Sequence, residues 1–528
     1  MTEASEQIWD VIVIGTGMGG GLAGRRLAEN GLSVLFLERG PNGARGEGQG
    51  LNPMLADPVA RQVRGYWPKP MVARINGRDS QFFAPIGAGV GGSSVFYAAT
   101  LERPEPHDLD HSKDRPHSTG GWPVSYATFA PYFQEAEWLL HVSGAPDPLS
   151  KQPPSKLAEP APLPLGEQQL MAGFQAAGLH PYHGHSAVRD LQGCKQCLGV
   201  KCPRDCKMDG RSAGVEPALE TGRARLIADC KVTEIKGEAD QVSWVEAEID
   251  GQIQQFRARA YVLAAGALSS PRLLLASTAG TWTQGCGNGE DLVGRNLMFH
   301  LNEMFALWPK RDLVFEGPGK SLTLRDLYHV KGQRFGIIQA MGITARYGEI
   351  LHFLTLAFDR SVWRHLAWLK PLLRLPARLA VGMFGDAKIF VGILEDLPYP
   401  ENRVLMDADD PDILRVEYRF APELLARRKR FRWAIRKAFK PWRHWFLNRG
   451  PELNFGHPCG TLAFGTDPKT SVLNPDCRLH DVHNLYVADA SFMPSSMGVN
   501  PSLTIAANAL RVADHLTQLL AKPGSQKD

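Results

Sequence analysis

Cysteine is scarce in this sequence, with eight residues among 528. A long chain with so few cysteines is not a disulfide scaffold of the kind found in small secreted domains. The sequence also lacks any uninterrupted apolar run of about 18 to 20 residues, so it predicts no transmembrane helix. These absences leave an ordinary folded, soluble protein as the expected class.

A secretory leader and a strong charge excess are missing as well. The N-terminal residues include Glu3 and Glu6 instead of a basic leader, and the short apolar run from Val11 to Ile14 is typical of a strand. The net charge is only +4, which by itself favours no class of partner. We therefore expect a cytoplasmic protein in a reducing compartment. Nucleic acid is not expected as a partner, because no other feature of the sequence supports it.

What the chain has in excess is length and glycine. A chain of 528 residues exceeds one ordinary hydrophobic core, so two or three domains are predicted. The 53 glycines indicate tight turns and places where the backbone approaches a ligand closely.

The segment 10–40 has the element order of a dinucleotide-binding unit. An apolar run typical of a buried parallel strand precedes Gly15, and a helix of small residues follows Gly20. A second apolar strand, predicted over 33–37, ends at Glu38. A lone glycine motif would be a weak signal, but strand, glycines, helix, strand and acid occur here in the required order.

Each motif residue of this unit has a predicted task. Gly15 allows the tight turn, Gly17 lets backbone N–H groups approach a pyrophosphate, and Gly20 lets the helix pack against the strand. The helix N-terminus favours anionic phosphate groups. Glu38, which lies 18 residues after Gly20, is placed to accept hydrogen bonds from ribose hydroxyls. The unit predicts NAD or FAD and argues only against NADP.

Further motifs follow in a fixed order along the chain. They are GAGVGGSS (87–94), WPVSY (122–126), AAGALSSPRLL (264–274), VGRNL (293–297), HPCGT (457–461), NLYVADAS (484–491) and NPSLTI (500–505). With the N-terminal unit, this set resembles the glucose–methanol–choline (GMC) family of flavoprotein oxidoreductases, and is most similar to its cholesterol-oxidase and gluconate-dehydrogenase branches. The resemblance runs from Asp10 to Leu516 and is thin over 300–450.

The resemblance implies an α/β fold with two domains. Segments 8–100, 190–300 and 457–520 would form a discontinuous Rossmann-like FAD-binding domain. Segments 101–189 and 301–456 would form a sheet-based substrate-binding domain with its connections.

The resemblance also implies FAD as cofactor. No histidine lies between Ser94 and Thr100, where some members attach FAD covalently, so noncovalent FAD is expected. For Asp489, which the resemblance places near the flavin, stabilisation of a turn is an equally good alternative. The residues implied to contact FAD, besides those of the N-terminal unit, are Gly87, Gly91, Gly92, Ser93, Ser94, Ala265, Gly266, Asp489, Ala490, Asn500 and Pro501.

The catalytic pair of the family corresponds to His457 and Asn500. His457 would take the hydroxyl proton of an alcohol, and Asn500 would orient its oxygen while hydride passes to the flavin. Without the resemblance, His457 would be a structural histidine, and Asn500 an N-cap with Pro501 in the first helical turn.

The expected reaction is oxidation of an alcohol to an aldehyde or ketone. A GMC-like hydroxynitrile lyase and a noncatalytic lipid- or partner-binding flavoprotein are the alternatives.

Four of the eight cysteines, Cys194, Cys197, Cys202 and Cys206, form a C-x2-C-x4-C-x3-C cluster. Such thiolates can bind zinc or an iron–sulfur cluster. The spacing resembles the cysteine-rich stretch of bacterial FAD-dependent glucose dehydrogenase catalytic subunits, which implies a cluster that passes electrons to an external acceptor. Two disulfides or free thiols are the alternatives.

Two stretches, 361–384 and 424–446, mix basic residues with tryptophan, phenylalanine and leucine. The second has nine lysines and arginines and no acidic residue. This pattern suits peripheral contact with the inner face of a membrane. It would fit a hydrophobic substrate such as a long-chain alcohol, terpenoid or sterol. An ordinary basic helix face and a docking surface for an acceptor protein are the alternatives, and a quinone is another possible acceptor.

Overall fold

The structure, a computed structural model, describes residues 3–45, 57–153, 155–194, 196–278, 280–309, 320–344, 347–359, 361–385 and 387–521. Its strands are β1 (Ile8–Ile14), β2 (Val34–Leu37), β3 (Met71–Ile75), β4 (Arg78–Phe82), β5 (Tyr182–His183), β6 (Ala224–Ile227), β7 (Lys231–Glu238), β8 (Gln241–Ile249), β9 (Gln252–Leu263), β10 (Leu301–Trp308), β11 (Leu322–Leu324), β12 (His329–Val330), β13 (Gln333–Arg334), β14 (Ile338–Thr344), β15 (Lys388–Leu394), β16 (Arg403–Leu405), β17 (Arg415–Tyr418), β18 (Arg443–Phe446) and β19 (Leu485–Val487). Its helices are α1 (Glu3–Glu6), α2 (Met18–Glu29), α3 (Pro58–Val63), α4 (Pro106–Leu109), α5 (Tyr126–Leu139), α6 (Leu165–Ala176), α7 (Glu216–Glu220), α8 (Ser270–Ala276), α9 (Tyr347–Asp359), α10 (Arg374–Phe384), α11 (Pro422–Ala438) and α12 (Ser502–Ala521).

The largest sheet has the strand order β6-β2-β1-β9-β8-β7, and β19 also pairs with β9. The strands β6, β2, β1, β9 and β19 run parallel, whereas β8 and β7 are antiparallel additions. The apolar run 11–14 of β1 is buried on both faces, which is why it shows no alternation of polar and apolar residues. The α2 helix packs against α12, so the first and last parts of the chain share one core.

The second sheet has six strands in the order β18-β10-β15-β14-β11-β5. Its pairings are antiparallel, and its central strand β15 is buried along its whole length. Phenylalanine rings from β10, β15 and α11 fill the core on one of its faces. This sheet contributes one wall of the cavity that is described below.

A third sheet, β16-β17-β3-β4, joins distant parts of the chain. Its β3 and β4 lie in the segment 8–100 and its β16 and β17 in the segment 301–456, which the sequence assigned to different domains. β17 pairs with β3 in parallel, so these two segments share backbone hydrogen bonds. The mixed α/β architecture agrees with the predicted fold class.

Candidate active site

A cavity of about 680 Å³ lies between the largest sheet and the six-stranded sheet. Most of the residues predicted to contact a cofactor or substrate line it. They are Gly15, Gly17, Glu38, Gly87, Gly92, Ser93, Ser94, Ala265, Gly266, His457, Asp489, Ala490, Asn500 and Pro501. Gly20 and Gly91 were predicted with them and do not line the cavity, because both pack against neighbouring backbone or side chains.

The glycines of the N-terminal unit have different surroundings. Gly15 has φ +95°, and a Cβ there would lie 2.5 Å from the Ala264 carbonyl oxygen. A Cβ at Gly20 would lie 2.1 Å from the Gly15 carbonyl oxygen, so this position lets α2 approach β1. A Cβ at Gly17 would meet nothing within 4 Å. Gly17 therefore opens onto free space at the N-terminus of α2.

Glu38 and Thr16 connect the two glycine-rich loops. The Glu38 carboxylate accepts hydrogen bonds from Thr16 N at 3.1 Å and Thr16 Oγ1 at 2.6 Å. Thr16 Oγ1 in turn accepts from Gly91 N at 3.1 Å. Burial raises the pKa of Glu38, although these donors oppose that shift. The loop that contains Gly91 is thereby held against the first loop.

The Ser93 and Ser94 hydroxyls shape the second loop. Ser93 Oγ accepts from Gly87 N at 2.9 Å, and Ser94 Oγ accepts from Gly210 N at 2.9 Å while donating to Gly91 O at 2.6 Å. The two serines thus hold the loop closed.

Asp489 joins the closing motif to the loop that contains Ala265 and Gly266. It accepts from Gly266 N at 2.8 Å and from Ser491 N at 2.9 Å, and it also accepts from the Ser270 and Ser491 hydroxyls. These four donors match the acceptor capacity of a carboxylate. Asp489 therefore stabilises the turn, which the sequence left as an equal alternative to contact with the flavin.

His457 forms a pair with His300 at the other end of the cavity. The two Nδ1 atoms are 3.0 Å apart. His300 Nε2 lies 3.1 Å from both the Ser496 and Met497 carbonyl oxygens, so it must carry a proton. Burial lowers the pKa of His300 to about 4, so its ring is neutral and its Nδ1 is an acceptor.

This arrangement selects the tautomer of His457. Its Nδ1 must donate to His300, which leaves the lone pair on Nε2. Asn454 Nδ2 lies 3.2 Å from the same Nδ1, and a hydrogen bond donated by this amide would favour the opposite tautomer of His457. The two carbonyl oxygens that accept from His300 Nε2 fix the tautomer of His300, and their effect outweighs that of the single amide donor. Burial, reinforced by the neighbouring His300 and Lys320, holds the pKa of His457 well below its usual value of 6.5. The His457 ring is therefore neutral at neutral pH, with its lone pair on Nε2.

Asn500 is not the N-cap that the sequence offered as its structural alternative. α12 begins at Ser502, and the Pro501 carbonyl oxygen accepts its first helical hydrogen bond from Ile505 N at 3.0 Å, so Pro501 and not Asn500 stands at the cap position. Asn500 is buried, and its Oδ1 has no hydrogen-bond partner within the described part of the chain. An acceptor that lines a cavity without a donor is suited to bind a ligand hydroxyl or amine.

Two more unpartnered polar atoms line the same cavity. Gln339 Oε1 and Thr100 Oγ1 are buried and have no hydrogen-bond partner among the described residues. Lys320 also lines the cavity and donates to the Ala98 carbonyl oxygen. Burial, with the nearby cation of Lys207, lowers the pKa of Lys320 to about 7.

Comparison with known proteins now identifies the family. Two family models, both described as GMC oxidoreductase, match residues 10–302 and 395–509. The chain belongs to the GMC oxidoreductase family. It is therefore an oxidoreductase of the type that acts on CH–OH groups, in agreement with the resemblance seen in the sequence.

Individual relatives of this GMC oxidoreductase cover nearly its whole length. A 6'''-hydroxyparomomycin C oxidase of Streptomyces lividus is 28% identical, covering 97% of this chain and 92% of its own. A fructose dehydrogenase large subunit of Gluconobacter japonicus is 27% identical, covering 96% and 97%. The fold is also that of a formate oxidase variant from Aspergillus oryzae RIB40, studied for FAD modification, with TM-score 0.66, 16% identity and coverage of 97% and 98%.

The four cysteines of the cluster in this GMC oxidoreductase form no disulfide bond. Cys197, Cys202 and Cys206 form one buried cluster, and the partly buried Cys194 packs against it. Among the described residues, no group of three or more His, Cys, Asp or Glu side chains could hold a metal ion. The geometry therefore gives no support to the zinc or iron–sulfur site expected from the spacing.

Sequence reasoning missed several side chains that face or support the cavity. His300 closely follows the VGRNL motif, which could have marked it, since it ends a segment that the family resemblance covers. Lys320 and Gln339 lie where the resemblance is thin, and no local pattern distinguishes them from other polar residues. Only the pairing of β14 with β15 shows that Gln339 lies beside Val391 in the cavity wall.

Proposed function

We propose that this protein oxidises a polar alcohol, with noncovalent FAD as cofactor, His457 as base and Asn500 as the residue that orients the substrate oxygen. The observation that carries the proposal is the neutral His457, with its lone pair on Nε2, in the same cavity as the unpartnered Asn500 Oδ1. A base and an acceptor in one enclosed space suit removal of a hydroxyl proton.

The cavity fits FAD at its nucleotide end. The open space beside Gly17 leaves room for a diphosphate at the N-terminus of α2, where backbone N–H groups and the helix dipole favour anions. Glu38 follows β2 at the edge of the same space. Bound FAD supplies the acceptor for the hydride that leaves the alcohol carbon. Since no histidine lies between Ser94 and Thr100, acid precipitation should release the flavin into the supernatant.

The chain's own residues account for the proton. The alcohol loses its hydroxyl proton to His457 Nε2 and a hydride from its carbon, and the product is a carbonyl compound. His300 holds His457 in the reactive tautomer throughout. Asn500 has both an amide N–H₂ and a free Oδ1, so it can bind the reacting oxygen and a neighbouring polar group.

The substrate class follows from the polar atoms that lack partners. Gln339 Oε1, Thr100 Oγ1 and Asn500 Oδ1 would each cost stability if they stayed unpaired in an apolar complex. A substrate with several hydroxyl or amino groups would pair them. This differs from the hydrophobic alcohol expected from the sequence. The names of the relatives, an aminoglycoside oxidase and a fructose dehydrogenase, support the polar class.

The test of the function is the visible spectrum of anaerobic protein mixed with alcohols. A panel of sugars, sugar alcohols, amino alcohols and diols should bleach the flavin bands, whereas sterols and long-chain alcohols should not. Bleaching by sterols alone would contradict the polar substrate class. Flavin bands that no alcohol bleaches would favour the lyase or binding alternatives, and protein without flavin would refute the cofactor.

The pairing of the two histidines makes a separate prediction. His300→Leu should lower kcat by about 10²-fold, because His457 loses the acceptor that fixes its tautomer and orientation. His300→Gln keeps an acceptor oxygen and should recover part of that loss. The substrate KM should change little in either variant, since His300 faces His457 and not the cavity. Equal kcat for the two variants would show that the tautomer is set elsewhere.

The Lys320 cation predicts a shift in pH dependence. The base works when deprotonated, so kcat/KM should fall as the pH drops through the pKa of His457, below 6.5. Lys320 titrates at about 7 and is therefore a cation in that range. Lys320→Met removes this positive neighbour, raises the pKa of His457 and should move the acid limb to higher pH. A limb that stays in place or moves to lower pH would refute the coupling.

A further inference from the structure

The segment 361–384 exposes large apolar side chains to solvent. Trp363, Trp368, Leu372, Leu375, Leu379 and Met383 are each between 58% and 73% exposed. We call these six residues the apolar patch. Isolated exposed apolar residues are common, but a cluster of this kind marks a binding surface.

Three of the six patch residues follow one face of a helix. Leu375, Leu379 and Met383 recur at intervals of four residues on α10, which places them in one row. Ala377 is the one buried residue of α10. The helix therefore turns an apolar row toward solvent, the reverse of the usual arrangement in which that row faces the core.

Exposed basic residues lie on α10 and on α11. Arg374 and Arg378 are exposed on α10 itself, and the stretch 361–385 contains no acidic residue. Two exposed tryptophans, Trp433 and Trp445, lie on α11 and β18. The exposed basic residues of α11 and its C-terminal end are Lys429, Arg430, Arg436, Lys437 and Lys440.

Not every basic residue of the second stretch belongs to this surface. Arg428 and Arg432 bind the buried Glu303 of β10, and Arg427 lies 3.7 Å from the buried Glu395, which follows β15. These three arginines hold α11 on the six-stranded sheet. The structure thus divides the stretch 424–446 into a buried structural face and an exposed basic face.

The C-terminal end of α10 and the second stretch meet at Trp308. The Phe384 ring, at the end of α10, lies 5.5 Å from the Trp308 ring, and the Arg443 guanidinium lies 4.4 Å from the same ring. Phe384, Trp308 and Met341 all pack against one small buried cluster, and Met341 also lines the cavity. This cluster therefore connects the end of α10 with the wall of the active-site cavity.

We propose that this surface binds an anionic lipid bilayer in the plane of the interface, with α10 inserted by its apolar row. Leucine and arginine on α10, together with the exposed Trp363 and Trp368 that precede it in the chain, suit the boundary between headgroups and acyl chains. No described helix is both long and apolar enough to cross a bilayer. A second copy of the chain is a poorer occupant, because two identical basic surfaces would repel each other.

The test is co-sedimentation of the flavin-loaded protein with vesicles. Wild-type protein should bind vesicles of phosphatidylcholine mixed with phosphatidylglycerol, and bind phosphatidylcholine alone weakly. The double variant Leu375→Glu/Leu379→Glu should bind about tenfold more weakly or worse, because it loses apolar area and gains negative charge. Arg374→Gln/Arg378→Gln should weaken binding about fivefold for each charge removed.

The matched control adds the same two charges elsewhere. Trp138 and Ile253 are exposed to a similar extent on α5 and β9, so Trp138→Glu/Ile253→Glu should bind vesicles nearly as wild type. Circular dichroism and thermal unfolding should show that every variant is folded, and neither measurement depends on whether the protein oxidises an alcohol. The proposal would be overturned if L375E/L379E bound anionic vesicles as well as the wild-type protein does. So would failure to bind any vesicle, or a wild-type dimer that L375E/L379E dissociates.

Discussion

His457→Gln is expected to lower kcat by about 10³-fold while the protein keeps its full complement of flavin. The neutral imidazole of His457 is the proton acceptor in the proposed reaction, and glutamine cannot accept a proton at neutral pH. Glutamine can still donate to His300 through its amide, so the cavity should keep its shape. The rate of anaerobic flavin reduction after rapid mixing with substrate measures the chemical step directly.

His480→Gln serves as the control for this experiment. His480 is only partly buried, pairs with Ser471 at 3.0 Å and does not line the cavity, so this variant should reduce its flavin at the wild-type rate. A His457→Gln variant that still reduces its flavin at the wild-type rate would falsify the assignment of His457 as base. A variant that loses flavin as well would show that His457 supports the cofactor site.

Gly17→Val should remove FAD from a protein that otherwise folds. A Cβ at Gly17 would meet no protein atom within 4 Å, and its φ of −62° is accessible to any residue. The added side chain would instead fill the open space proposed for the diphosphate. The expected loss in FAD affinity is about tenfold to hundredfold. The ratio of flavin to protein absorbance after purification, followed by titration with FAD, measures it.

Two other glycines show what Gly17→Val should not do. A Cβ at Gly289 would also meet nothing within 4 Å, but Gly289 lies outside the cavity, so Gly289→Val should keep its flavin. Gly15→Val should destabilise the fold itself, because Gly15 has a positive φ and a backbone oxygen 2.5 Å from any Cβ. Full flavin content in Gly17→Val would refute the placement of the diphosphate beside Gly17.

The nucleotide end of the cavity was the more predictable half. Its residues lie in short local motifs, where a glycine or acid stands at a fixed distance from a strand or helix end. The strand before Gly15 and the position of Glu38 at the end of β2 agree with the sequence analysis. The helix was expected after Gly20, but α2 begins at Met18 and so includes Gly20. The roles of these residues toward FAD stay predictions, which the Gly17 variant tests.

The same local reasoning was less successful where side chains had alternatives of equal merit. Asn500 before Pro501 has the pattern of a helix cap, yet α12 begins at Ser502 and Asn500 Oδ1 is unpartnered among the described residues. Asp489 lines the cavity and accepts from four donors in its own and a distant loop, so it stabilises the turn, while its contact with a flavin stays a prediction. Spacing in the sequence predicts which side chains lie near a turn or a helix end. It does not predict their hydrogen-bond partners, because those partners come from segments far apart in the chain.

The sequence by itself determined the family, the α/β class and the catalytic candidates, because each depends on motifs a few residues long whose geometry is local. Only the tertiary structure decided that His300 sets the tautomer of His457, and that Lys320, Gln339 and Thr100 share its cavity. It also showed which arginines of α11 are buried and which face solvent. The physical reason is that protonation, pairing and exposure depend on neighbours brought together by the packing of distant strands and helices.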